Sequence, residues 1–139
     1  MAFTSLFAPR RAAMVRPQQD GRKTGGEMAS IYKIVSASEW RAAEAAGVFS
    51  GSGIDLKDGY IHFSTAAQAQ ETAAKHFVGA SDLLLVEVDA GALDIKWEAS
   101  RGGALFPHLY EPLPMSAVRR VVDLPLCASG EHRFPDMAE

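Results

Sequence analysis

From Ile31 onward the apolar and polar positions fall into a readable order. Ile31-Tyr32-Lys33-Ile34-Val35 is rich in β-branched and aromatic residues and predicts a strand. Ser36 followed by Glu39 has the spacing of a capping box, so a helix is expected to start there. Trp40, Ala43 and Ala46 lie near one face of that helix, and Gly47 suits its end. Residues 48–59, with Gly51, Ser52, Gly53 and the Asp58-Gly59 turn signal, read as a loop. In Tyr60-Ile61-His62-Phe63-Ser64, alternation puts Ile61 and Phe63 on one face and Tyr60, His62 and Ser64 on the other. Thr65 and Gln68 form a second capping-box spacing, ahead of an Ala-rich helix running to about Phe77 or Val78.

The second half is dominated by strands. Leu83 to Val88 is strongly apolar and is expected at the centre of a sheet. Ile95 to Glu98, Leu105 to Tyr110 and Val118 to Leu124 are further strand candidates, and Pro112 and Pro114 predict a rigid turn. No repeat is present. The sum is an α+β fold: a single domain with a curved, mostly antiparallel sheet and two main helices packed on it. Residues 1–29 are expected to be a disordered N-terminal extension, 30–126 the domain, and 127–139 a flexible tail. Met28 opens the patterned region and is an alternative start of translation.

Composition narrows the classes. The 139 residues, 47% hydrophobic and 22% charged, suit a globular domain that buries a core without staples. The lone Cys127 excludes an internal disulfide and favours a reducing, cytoplasmic setting. No apolar run approaches the roughly 20 residues of a membrane-spanning helix. Residues 1–27 carry a charge of +3, which leaves −6 on the remainder. There the basic residues are scattered, and Arg119-Arg120 point to opposite faces of a strand. No nucleic-acid-binding surface is therefore expected, while a small polar or nucleotide-like ligand is compatible with this charge. The oligomeric state is not legible.

The candidate chemistry centres on two histidines. His62 shares a strand face with Ser64, and Thr65 follows at a predicted helix start. Imidazole, two hydroxyls and helix amides would together suit an anion or a polar ligand edge. His108 stands in the rigid, aromatic and proline-bearing segment Phe106 to Pro114, where it either presents a group to a ligand or ties down backbone carbonyls. Glu98, beside Trp97, is either a carboxyl with raised pKa acting as acid or base, or a solvated strand end pairing with Arg101. His76 reads as a helix-end residue, His132 as inert in the tail, and Asp89 and Asp94 as turn residues. Phosphate-loop, Gly-x-Ser-x-Gly and His-Glu-x-x-His motifs are all absent, and no close-spaced ligand pair suggests a metal.

Ile31-Tyr32-Lys33-Ile34, Glu39-Trp40, Asp58-Gly59-Tyr60-Ile61-His62-Phe63-Ser64-Thr65, Trp97-Glu98 and Phe106-Pro107-His108-Leu109-Tyr110 occur in that order. Together they resemble the bacterial domain-of-unknown-function family numbered 952, over about residues 30–125. That family is in turn distantly similar to the ADP-ribosyltransferase fold. The resemblance implies NAD as a candidate substrate, Lys33 at an early NAD-contacting position where relatives often have His, and Ser64 as the hydroxyl of a second strand. It implies that His62, Glu98, His108 and Tyr110 line the same cleft, and Glu111 stands where relatives usually have Gly. On this reading Glu98 and His108 are the catalytic candidates, and Lys33, His62, Ser64, Thr65, Arg101 and Tyr110 the ligand-binding ones. The expected function is a nucleotide-binding transferase or hydrolase of NAD or ADP-ribose type. The alternatives are a non-catalytic module binding a metabolite or a protein through the same cleft, and a structural domain in which both histidines tie the fold together.

Overall fold

The computed structural model describes residues 29–100 and 103–137. The strands among the described residues form three sheets. The main one has the order β1-β4-β8, from Ser30–Ser36, Leu83–Asp89 and Val118–Leu124, with both pairings antiparallel. A second joins β3 (Ile61–His62), β6 (Leu105–Leu109) and β5 (Ile95–Ala99) in the order β3-β6-β5, again antiparallel. A two-stranded piece pairs β2 (Val48–Phe49) with β7 (Leu113–Pro114). Helix α1 spans Ala37–Ala46, the short α2 spans Ile54–Asp58 and α3 spans Ala66–His76. The fold is α+β, as the sequence pattern predicts. The sheet expected as one curved surface divides into three, and a third helix joins the expected two.

Burial explains the layers. β4 is central and apolar on both faces. Leu84, Val86 and Val88 belong to a core shared with Ile31, Val35, Trp40, Ile61, Phe63 and Leu109. Leu85 and Leu83 pack with Tyr32, Ile34, Ala73 and Leu124 in a second core beneath α3. A strand covered on both sides reads as a continuous hydrophobic run, which is why Leu83 to Val88 is legible as central. Lys33 interrupts β1 between Ile31 and Val35, yet is only 7% exposed.

Both predicted caps form. The Ser36 hydroxyl accepts from the Glu39 amide and donates to the Glu39 carboxylate, and Gly47 closes α1 in the left-handed conformation at φ 89°. Trp40, fully buried, keeps its indole N–H satisfied by donating to Glu44 at 3.0 Å.

Three local differences from the expectation have physical reasons. Residues 48–59 are not a loop throughout: Val48–Phe49 pairs with Leu113–Pro114, and Ile54–Asp58 winds into one short turn of helix. Elements of two and five residues carry no periodicity to detect. The strand from Tyr60 is cut to Ile61–His62, because Ser64 leaves β6 and bridges Tyr32 of β1. Pro107 sits inside β6 opposite Trp97 of β5, and its carbonyl accepts from the Phe63 amide.

The segment after Cys127, expected as a flexible tail with His132 inert, returns to the domain. Leu126 bridges His132, the His132 ring donates from Nε2 to the Ala80 carbonyl at 2.8 Å, and Phe134 and Met137 pack on the second core. The polar composition of 128–132 hides the two apolar anchors that follow. The expected N-terminal extension lies, except for Ala29, outside the described residues.

Candidate functional site

The β3–β6 pairing sets the site. His62 and His108 are direct cross-strand partners, so their side chains rise side by side from one face of the ladder, with ring centroids 5.2 Å apart in an edge-on arrangement. Tyr60, two residues before His62, joins them: its ring lies 4.6 Å from His62, 4.4 Å from His108 and 4.8 Å from Tyr110. Glu98 reaches the same face from β5, where it stands opposite Phe106, diagonal to His108.

The two histidines have different surroundings. His62 directs Nδ1 at Asp55 (2.6 Å) and Nε2 at Asp58 (3.1 Å), so both ring nitrogens face carboxylates from α2. Neither nitrogen is left for a ligand. His108 directs Nδ1 at Glu98 (2.8 Å), and its Nε2 has no partner among the described residues. His108 is 3% exposed, and it forms part of a cleft wall. A carboxylate holding the Nδ1 proton fixes the tautomer and presents Nε2 as an acceptor, the arrangement of a general base. The second expectation for His108, that it ties down backbone carbonyls, is not what the ring does.

Glu98 is the shared acceptor of this group. It takes hydrogen bonds from His108 and from the Tyr110 hydroxyl at 2.7 Å. Those bonds hold its carboxyl below the usual range and push the Tyr110 phenol up to about 12. The raised carboxyl expected beside Trp97 is therefore corrected. Strand alternation turns Trp97 to the other face, and Glu98 meets two donors in place of an apolar wall. It holds the His108 ring through Nδ1.

Asp55 is the residue the sequence reading missed. It lies 2% exposed at the start of α2 and accepts from the Lys33 ammonium (2.7 Å), the His62 ring (2.6 Å), the His62 amide (3.1 Å) and the Ser52 amide (3.2 Å). Burial alone would raise its carboxyl; the His62 bonds and the Lys33 charge outweigh that and lower it to about 2. The Gly51-Ser52-Gly53 cluster is its cradle. Gly51 has φ 112°, and a Cβ there would come within 2.9 Å of the Asp55 Cβ. The available signal was Lys33 itself: a lysine inside an apolar strand needs a buried counter-charge.

A cleft of about 580 Å³ opens beside these groups, lined among others by Lys33, His62, Ser64, Thr72, Phe106 and His108. Four of the eight candidate site residues therefore border it: Lys33, His62, Ser64 and His108. Lys33 is engaged by Asp55, and the Ser64 hydroxyl meets that of Thr72 at 2.9 Å. His76, the last residue of α3, also lines the cleft. Glu98 and Tyr110 stand behind His108. Thr65 does not line the cleft: its hydroxyl accepts from the Gln68 amide while the Gln68 side chain accepts from the Thr65 amide, so the start of α3 is closed by its own cap. Arg101 lies outside the described residues.

The two adjacent arginines are paired locally. Arg119 pairs with Asp89 at 3.2 Å and Arg120 with Glu87 at 3.2 Å, so this basic pair meets acidic partners on its own sheet. Asp89 also accepts from the Gly91 amide in the expected turn. Among the described residues, no group of three His, Cys, Asp or Glu could hold a metal ion, and no helix is long and apolar enough to cross a membrane.

Comparison with known proteins places this geometry. No curated protein matches the chain. Protein CC0527 from Caulobacter crescentus is similar in its X-ray crystal structure, with 57% identity over 75% of this chain and 93% of that one and a TM-score of 0.72. The crystal structure of a double mutant of CC0527 matches equally well, and the solution NMR structure of CC0527 is 58% identical with a TM-score of 0.68, over 75% of this chain and 91% of that one. The family model described as "Protein of unknown function (DUF952)" matches residues 34–121, from β1 to β8 and across both histidines, and the chain belongs to that family.

Proposed function

We propose that the cleft binds a nucleotide-like ligand of NAD or ADP-ribose type and that His108 moves a proton on it. The observation that carries this reading is the Glu98–His108 pair, a buried imidazole with one nitrogen held and the other unpartnered among the described residues, in a cleft wall. The volume suits a ligand of this size, and Phe63 and Phe106 supply apolar surface for a ring. The Ser64 and Thr72 hydroxyls supply polar partners beside them.

With NAD as substrate, the attacking oxygen of water or an acceptor hydroxyl bonds to the ribose carbon. The carbon–nitrogen bond breaks, and neutral nicotinamide leaves with its electron pair. The proton of the attacking oxygen goes to His108 Nε2, while Glu98 supports the imidazolium that results. Thermal unfolding of the full chain with NAD, ADP-ribose and nicotinamide tests binding. Saturable stabilisation by NAD or ADP-ribose is expected, with nicotinamide release from NAD that His108→Gln abolishes. If neither nucleotide stabilises the fold, the reading fails.

A second reading is favoured by the closed chain Lys33–Asp55–His62–Asp58, whose groups satisfy one another. It makes the protein a non-catalytic module that orients a small polar ligand. Stabilisation that saturates with no product formed would select it.

A further inference from the structure

Strand β5 forms one edge of the β3-β6-β5 sheet, and among the described residues no strand pairs with its outer side. The ladder to β6 fixes which backbone groups face out. The Ser100 amide donates to the Ala104 carbonyl, so bonding alternates back along β5 and turns the amides and carbonyls of Glu98 and Lys96 toward β6. Trp97 stands between them, opposite Pro107, which has no N–H to give it. The N–H and C=O groups of Ile95, Trp97 and Ala99 therefore point away from the sheet, as a template for another strand.

The side chains on this edge match a particular strand, which is β5 itself. Trp97 is 46% exposed, and Leu105, diagonal to it on the same face, is 55% exposed. Lys96 and Glu98 stand on the other face, one of each sign on either side of Trp97. An edge with one sign of charge repels a second copy, whereas this one is complementary to itself read in reverse. Centring an antiparallel pair of β5 strands on Lys96 or on Glu98 sets that charge against its own copy. Centring it on Trp97 opposes the outward backbone groups, pairs all five residues and sets Lys96 of each copy against Glu98 of the other. Those two positions are then the close pairs of the ladder, with Cα atoms about 4.5 Å apart. Lys96 can turn to them, because its present contact to Asp94 at 3.3 Å joins two exposed side chains. Glu98 receives both His108 and Tyr110 on Oε1, and its Oε2 has no partner among the described residues.

We infer that the outer edge of β5 is an interaction surface for a second copy of this chain, the two strands pairing antiparallel about Trp97 with each Lys96 against the other copy's Glu98. Each copy then places an ammonium beside the carboxylate that holds His108 of the other. The inference goes beyond the reading of the cleft and stands whatever the cleft binds. Five residues a side make a small contact, below the roughly 1,200 Å² of a stable complex, so the pair is reversible and forms as concentration rises.

Sedimentation equilibrium of the full chain, from about 10 μM to about 1 mM, reads the association. The average mass should climb from that of one chain toward that of two. At the high end, hydrogen exchange at the Ile95, Trp97 and Ala99 amides should slow at least about fivefold, and much less at Lys96 and Glu98, which the β6 ladder already holds. Lys96→Glu sets carboxylate against carboxylate at both charged pairs, and Glu98→Lys sets ammonium against ammonium, so each alone should stay a monomer. Mixed in equal amounts, the two variants oppose unlike charges again and should associate. Ala99→Pro removes an outward amide, leaves the ladder to β6 intact and should also abolish association. Circular dichroism checks folding, and if Glu98→Lys does not fold, Lys96→Glu and Ala99→Pro decide. A monomer throughout the range overturns the inference. So does association that Lys96→Glu and Ala99→Pro both leave intact, or a folded mixture that stays monomeric. Slow exchange at the three outward amides in a dilute monomer would mean that another part of the same chain covers the edge, and overturns it too.

Discussion

Asp55 carries more of the site than its size suggests. It is a single buried carboxylate that neutralises Lys33, holds the His62 ring and fixes the backbone at Ser52 and His62. Removing one partner of a buried ion pair leaves the other uncompensated and costs about 3–5 kcal/mol. Asp55→Ala should lose that much stability in urea denaturation, and Lys33→Met placed in the same chain should recover part of it. The pH dependence follows from the same carboxyl. Its pKa falls from 3.8 in the unfolded chain to about 2 in the fold. The folded state thus binds fewer protons between these values, and stability rises with pH across that window. The contribution is fully present above about pH 4 and is lost as pH falls through 2. Glu98, also lowered, acts in the same sense. Unfolding midpoints measured from pH 5 downward should fall more gently in Asp55→Asn than in the parent; parallel curves would remove Asp55 as the source. Gly51→Ala should disturb the same centre from outside, since it adds a Cβ 2.9 Å from Asp55 at a positive φ.

Elements separate what a sequence shows from what it hides. The two longer helices announce themselves through caps: the Ser36 hydroxyl accepts from the Glu39 amide, and Thr65 with Gln68 closes a full capping box. β1, β4 and β8 announce themselves by composition. His62 and His108 stand out because each is a polar ring in an apolar or rigid segment. The cross-strand register that makes them neighbours depends on a pairing between residues 46 apart, which no local pattern encodes. The same limit hid α2. Five residues cannot show a helical period, and Asp55 within Ile54-Asp55-Leu56 looks like a surface acid until Lys33 is placed against it. Thr65 shows the opposite case, a hydroxyl expected at a ligand that its own helix already engages. Thr65→Ala should therefore cost about 1 kcal/mol of stability, the usual value of a lost N-cap. Ligand affinity should stay unchanged in the same preparation, and an affinity loss larger than the stability loss explains would return Thr65 to the site.

At the scale of the whole molecule, the two cores divide the labour. The first joins the sheets and carries the β3–β6 ladder, hence both histidines. The second lies between the main sheet and α3 and is closed by the returning C-terminal segment through Phe134 and Met137. Helix α3 brings Thr72 and His76 to the cleft, so the segment after Cys127 supports one wall of the site from behind. Phe134→Ala should remove partly buried aromatic surface and cost about 1–2 kcal/mol at roughly 25 cal/mol per Å². His132→Ala should cost about 1 kcal/mol for the lost bond to the Ala80 carbonyl. Neither residue lines the cleft that holds His108. If α3 is a wall supported from behind, both variants should raise amide exchange along Ala66–His76 more than along β3 and β6. Ligand affinity would then fall with the loosening of α3, while any proton transfer at His108 is retained. Equal exchange in all three elements would mean that the cores unfold as one unit, with the C-terminal segment serving global stability alone.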